Sequence, residues 1–177
     1  MKKFGILLSV ASGMIAAIGT KAVNAKPMTR QEYNDFRGWQ LPENENGADE
    51  GYLVEYQDGE PNTTEYKGYV SWSPKAQFDN AYQDVTKGVS FGHAVELLKA
   101  GHRVAREGWN GKGMFLYYVP ENKYPASRNK HGTMIGMFKD DMVPYREYIA
   151  LKTVDNQVVP WAPSISDALA EDWQIVE

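Results

Sequence analysis

The stretch Ser90-Phe91-Gly92-His93-Ala94-Val95-Glu96-Leu97-Leu98-Lys99-Ala100-Gly101 decides how the rest of the chain is read. Ser90 has the side chain of a helix cap, Phe91, Ala94, Leu97 and Leu98 fall on one face at helical spacing, and Gly101 supplies a stop. The spacing predicts an amphipathic helix with one face to bury, and the strands after Gly101 supply the surface. Arg103 to Arg106 and Met114 to Val119 read as strands; Tyr148 to Val154 and Gln157 to Trp161 read as a hairpin joined by the two-residue turn Asp155-Asn156. A last short helix is expected to begin near Ser166, and Trp173 to Val176 to close the chain as a strand. Short strands mixed with two helices, without a regular βαβ rhythm, predict an α+β fold with a small antiparallel sheet and short helices.

Towards the N-terminus the pattern restarts as a smaller α+β module. Thr29-Arg30-Gln31-Glu32 has the form of a capping box, so a helix from Arg30 to Phe36 is expected, stopped by Gly38. From Glu43 to Glu65 there are eight acidic residues and no Lys or Arg, which reads as acidic loops flanking a strand, Gly51 to Tyr56, with Asp58-Gly59 as turn chemistry. Tyr69 to Trp72 is a second strand able to pair with it. Ser73 is read as a cap and Pro74 as the first residue of a helix through Tyr82, since proline's missing amide costs nothing there. The segment Gln83 to Val89 is the expected boundary. Ahead of all this, Lys2 and Lys3 precede an uncharged run from Phe4 to Thr20, and Val23-Asn24-Ala25 has the small residues of a processing site. The run is too short and too interrupted by Gly and Ser for a stable membrane span.

Composition removes whole classes of function. With 19 Lys+Arg against 23 Asp+Glu the formal charge is −4, so no general electrostatic grip on a DNA or RNA polymer is expected. The absence of Cys excludes disulfides, thiolate catalysis and cysteine-ligated metals. His93, His102 and His131 share no metal-ligand spacing, and the adjacent pairs Asp140-Asp141 and Glu171-Asp172 bring no partner base. Asp140-Asp141 reads as a solvated turn. Nucleophile-elbow, phosphate-loop and dinucleotide fingerprints are missing. No catalytic residue, metal or cofactor is expected.

What the sequence does offer is Arg106-Glu107-Gly108-Trp109-Asn110-Gly111-Lys112-Gly113-Met114. Its glycines permit close backbone approach, Arg106 and Lys112 are anion donors, and Trp109 brings an aromatic face, which together suit a nucleotide. The same residues also fit a plain hairpin turn carrying a core Trp. A second aromatic group, Pro160-Trp161-Ala162-Pro163-Ser164-Ile165-Ser166-Asp167, ends in hydroxyls and a carboxylate that suit either a helix cap or ribose hydroxyls.

The run Ser90-Phe91-Gly92 through Gly101, then Val104-Ala105-Arg106-Glu107-Gly108-Trp109-Asn110-Gly111-Lys112-Gly113-Met114, resembles the opening of the Thoeris anti-defence family, Tad type two. The closing pattern Tyr148-Ile149-Ala150-Leu151-Lys152-Thr153, Val159-Pro160-Trp161 and Ser166-Asp167-Ala168-Leu169-Ala170-Glu171-Asp172-Trp173 resembles that family's end, so the resemblance spans residues 89 to 176. It implies a small phage or prophage protein that sequesters cyclic ADP-ribose-type immune signals, in some members cyclic oligonucleotides too, as a homotetramer and without turnover. On that reading Trp109 stacks on adenine, Arg106, Lys112 and Lys152 meet the pyrophosphate, and Asn110, Ser166 and Asp167 address ribose hydroxyls. Met114 and Trp161 complete the expected ligand-binding set.

Residues 18 to 82 resemble a different module, common in phage proteins and sometimes placed before this family's domain. The matching stretches include Pro27-Met28-Thr29-Arg30, Arg37-Gly38-Trp39, Asp49-Glu50-Gly51-Tyr52-Leu53-Val54 and Gly68-Tyr69-Val70-Ser71-Trp72-Ser73-Pro74. The expected organisation is thus an apolar leader at 1–17, the phage-type module at 18–84 and the signal-binding domain at 89–177. Cleavage after Ala25 would cut through a module that starts at Ile18, which favours the host cytoplasm. The competing reading is an exported adaptor or glycan-binding module, consistent with five Trp, eleven Tyr and the leader.

Overall fold

The computed structural model describes residues 19–133, 136 and 138–176; the apolar leader and Ile18 lie outside them. The chain divides into two compact units, Met1–Tyr82 and Gln83–Glu177. Among the described residues no helix is long and apolar enough to cross a membrane. Both units are α+β with antiparallel sheets.

Unit one is a three-stranded sheet in the order β1 (Asn24–Pro27), β2 (Gly51–Tyr56), β3 (Tyr69–Pro74), with helices α1 (Arg30–Arg37) and α2 (Lys75–Ala81). Helix α1 begins where the capping box predicts. The Glu32 amide donates to Thr29 Oγ1 at 3.2 Å and the Thr29 amide to Glu32 Oε2 at 2.7 Å. It ends on Gly38, whose φ of 67° is the left-handed conformation glycine adopts without steric cost. Tyr33 on α1 is buried with Leu53 and Val70 of the sheet, and Met28, Phe36, Tyr66 and Trp72 pack around them. The carboxylate of Glu55 is nearly buried and accepts from Asn24 Nδ2 (3.0 Å) and from the amides of Lys67 (3.1 Å) and Gly68 (3.2 Å). The Asn24 hydrogen bond leads the effects that hold its pKa below the usual range.

One segment here proves to be a strand, and one expectation is corrected. Asn24 and Ala25, read as processing-site residues, belong to edge strand β1, whose low apolar content and terminal Pro27 conceal it from a pattern search. Ser73 is not a cap: β3 continues through Pro74, and Pro74 occupies the cap position of α2 without a side-chain bond. The first amide of α2, on Lys75, is satisfied by Glu50 O at 3.0 Å.

Unit two carries α3 (Phe91–Lys99), β4 (Arg103–Arg106), β5 (Phe115–Val119), β6 (Asn122–Pro125), β7 (Met142–Tyr145), β8 (Tyr148–Lys152), β9 (Val158–Pro160), α4 (Ile165–Ala168) and β10 (Trp173–Val176). Five strands form one sheet in the order β10-β4-β5-β8-β9. Helix α3 lays Ala94 and Leu98 against Val104, Leu116 and Trp173, all at most 1% exposed, with Val89 and Ala170 closing the core. Ser90 occupies the N-cap, but its Oγ pairs with His93 Nδ1 at 2.8 Å rather than with a helix amide.

Between β8 and β9, Thr153 and Gln157 close a three-residue loop, 154–156, not the two-residue turn expected. Asn156 N donates to Thr153 O (3.1 Å), Thr153 N to Gln157 O (2.9 Å), and Asn156 takes φ 63°. A turn followed by one left-handed residue is the next commonest hairpin solution, and Asn tolerates that conformation better than most residues. The β6–β7 hairpin leaves no trace in the sequence pattern, because its strands are four residues long and Pro125 and Pro144 interrupt their strand signal. At its far end Asp140 and Asp141 both take φ 57° in an exposed 3-10 turn. Helix α4 starts at Ile165, beside the expected Ser166, and Ser164 is its cap.

Trp173 fills the centre of unit two with 0% of its surface exposed. Trp173→Ala is expected to cost about 3–5 kcal/mol of stability, against about 1 kcal/mol for the cap change Thr29→Ala in unit one. Denaturant unfolding of the full chain and the two variants measures both.

Candidate ligand-binding site

Sheet register determines where the chemistry collects. Strand β4 ends at Arg106, directly opposite Trp173 at the start of β10, so the turn after β4 and the residues before β10 emerge side by side. The Arg106 guanidinium lies between two carboxylates. Its Nε and Nη2 donate to Asp172 Oδ1 (2.8 Å) and Oδ2 (3.4 Å), while Nη1 donates to Asp167 Oδ1 (3.0 Å) and Ser166 O (3.5 Å). Asp172 Oδ2 also accepts from the Gly108 amide at 3.1 Å.

Asp167 is equally committed. It completes a capping box with Ser164, accepting from Ser164 N (3.1 Å) and Ser164 Oγ (2.6 Å), and it receives Trp109 Nε1 at 3.4 Å. The side chains of Arg106 and Asp167 are 20% and 14% exposed, so these charges are only partly screened by water. Burial raises the Asp167 carboxyl's pKa, but the donors from Ser164 and Arg106 carry it net below its usual range. For Asp172 the Arg106 hydrogen bond is the leading cause of the lowering.

Above this clamp stands an aromatic cluster. Trp109 meets Trp161 (centroids 6.3 Å apart, 60°) and Trp173 (5.5 Å, 76°), and Phe91 meets both of those rings. Edge-to-face contacts of this kind are favoured by the ring quadrupoles. Trp109 and Trp161 are half-buried, whereas Trp173 is closed off and donates its Nε1 to Asp167 O at 3.1 Å. The loop beyond Trp109 folds on its glycines. A Cβ on Gly111 would stand 2.0 Å from Met114 Sδ, so only glycine lets Met114 lie across it. Gly113 takes φ 75°, and its carbonyl accepts from Lys152 Nζ at 3.2 Å.

The structure thus brings Arg106, Trp109, Trp161 and Asp167 into one contact network and ties Lys152 to the same loop through Gly113. Asn110 and Lys112 are exposed loop residues, and Met114 packs inside the loop. Ser166 Oγ pairs with Ser164 Oγ at 2.9 Å. Arg106 engages its Nε and both terminal nitrogens with carboxylates, and Asp167 accepts from Ser164, Trp109 and Arg106. Asp172, read from sequence as half of an unpartnered acidic pair, is the residue that sequence reasoning missed. Its partner lies 66 positions away, and only the β4–β10 register makes the two neighbours.

Because the Asp167 and Asp172 pKa values are depressed, the unfolded chain takes up protons at higher pH than the folded one. Their contribution to stability is complete above the ordinary carboxylate range near pH ~4 and is lost as pH falls through the folded values. Thermal melting below about pH 4 is expected to show a steeper fall for the natural chain than for Asp172→Asn. Parallel curves would show that this ion pair does not couple to folding.

The family model of the Thoeris anti-defense 2-like domain matches residues 89–176. Thoeris anti-defense 2 from Bacillus phage SP01 is 43% identical to this chain over 88 residues, which are 50% of this chain and 94% of that protein. The matched segment runs from Val89, bridged to Trp173, through β10, and so contains the Arg106 clamp, the aromatic cluster and the loop between them. The chain belongs to the Thoeris anti-defense 2 family of phage anti-defence proteins.

Proposed function

We propose that unit two binds a cyclic ADP-ribose-type immune signal and sequesters it without turnover, in the cytoplasm of the host cell. The observation that carries this reading is the loop 106–114 itself. It presents a half-buried Trp109 beside Trp161 and an exposed Lys112, and it is joined through the Gly113 carbonyl to Lys152 of β8; neither lysine forms an ion pair among the described residues. A base stacks on an indole, and a pyrophosphate is met by lysines and glycine amides. With Arg106 occupied, Lys112 and Lys152 are the cations for the phosphates, and Asn110 and Ser166 keep polar groups for the ribose. Among the described residues no three His, Cys, Asp or Glu gather as a metal site. The reading includes assembly as a homotetramer, for which the uncovered Ile165 of α4 and Leu169 at its C-cap, 82% and 78% exposed, supply apolar surface.

Calorimetric titration with cyclic ADP-ribose, followed by mass spectrometry of the small molecule released on heating, tests the proposal. Intact ligand is expected at any incubation time, and a cleaved product that grows with time would overturn sequestration. Trp109→Ala is expected to weaken binding by about 1–3 kcal/mol, the loss of one aromatic–base stack. Because Trp109 also packs on the core, its affinity is read well below the variant's melting temperature.

A further inference from the structure

Asp172 anchors the ligand loop at three successive residues. Its side chain takes Arg106 Nε and Nη2 and the Gly108 amide, and its carbonyl takes the Glu107 amide at 3.1 Å. The next amide, of Trp109, donates to Arg106 O at 3.2 Å, so the turn that presents the indole closes on the same support. Gly108 leaves the carboxylate room: a Cβ there would stand 3.3 Å from Asp172 Oδ2 and 4.0 Å from Arg106 Nη2. The Trp109 indole is held from its other end by Asp167, which shares Arg106 with Asp172.

We propose that Asp172 is the positioning residue of this site: by holding the Arg106 guanidinium and the Gly108 amide it fixes the loop, and it keeps Arg106 out of direct phosphate contact. The proposal rests on the ligand-binding reading above, and it makes a prediction of sign. A direct phosphate contact held in check by a carboxylate would bind an anion better once that carboxylate is neutralised. A positioning group would bind worse, because the loop loses its shape and the bound conformation is no longer prepaid.

The test uses the full chain and cyclic ADP-ribose by calorimetry, with Asp172→Asn, Arg106→Ala and the double variant. The near-isosteric Asp172→Asn is expected to lose about tenfold in affinity, or roughly 1.4 kcal/mol. In the Arg106→Ala background the same change is expected to cost clearly less, since the two act through one network. Unchanged or improved affinity in Asp172→Asn, or a full loss that persists without Arg106, would overturn the assignment. A second readout needs no ligand. In amide proton–nitrogen spectra, Asp172→Asn and Arg106→Ala are both expected to shift Glu107, Gly108, the Trp109 indole and Gly113 together, whereas a shift confined to Gly108 would overturn it. If the natural chain does not bind cyclic ADP-ribose, the ligand reading fails and the spectra still decide the role of Asp172.

Discussion

Arg106 lies between two carboxylates delivered by different parts of the chain, Asp167 from the cap of α4 and Asp172 from the residue before β10. An exposed ion pair is worth little, because water screens it and two long side chains must be frozen. Here the cation is shared, both anions are further engaged by backbone or indole donors, and the side chains are mostly covered. The clamp therefore works as a geometric constraint. It sets the distance between the β4 turn and the α4 cap, and the aromatic cluster of Phe91, Trp109, Trp161 and Trp173 is assembled across that distance.

Local signals are readable where a residue's partner lies within a few positions. The capping box at Thr29 and Glu32, the face of α3 and the strands at Gly51, Arg103 and Trp173 all emerge from spacing alone, because each depends on the period of one element. Edge strands β1, β6 and β7 stay hidden for the opposite reason. Each carries a proline and is only four residues long, and each exists because a neighbour supplies hydrogen bonds.

The site is legible in its residue types but not in its roles. Arg106, Trp109 and Asp167 are chemically suited to phosphate, base and ribose, and nothing in the sequence says they are spent on one another. That pairing comes only from register, which sets Arg106 opposite Trp173 and so beside Asp172. Ser164 rather than Ser166 caps α4 because the box closes on Asp167, three residues on.

In the five-stranded sheet of unit two, β9 forms one edge. An unpaired edge is a template on which another chain can add a strand, and the exposed Val158 and Val159 would favour such an addition. Strand β9 is only three residues long and ends in Pro160, which has no amide proton to offer. The sheet is therefore blunted against fibre-like growth at that edge, because the proline withholds the donor an added strand would need.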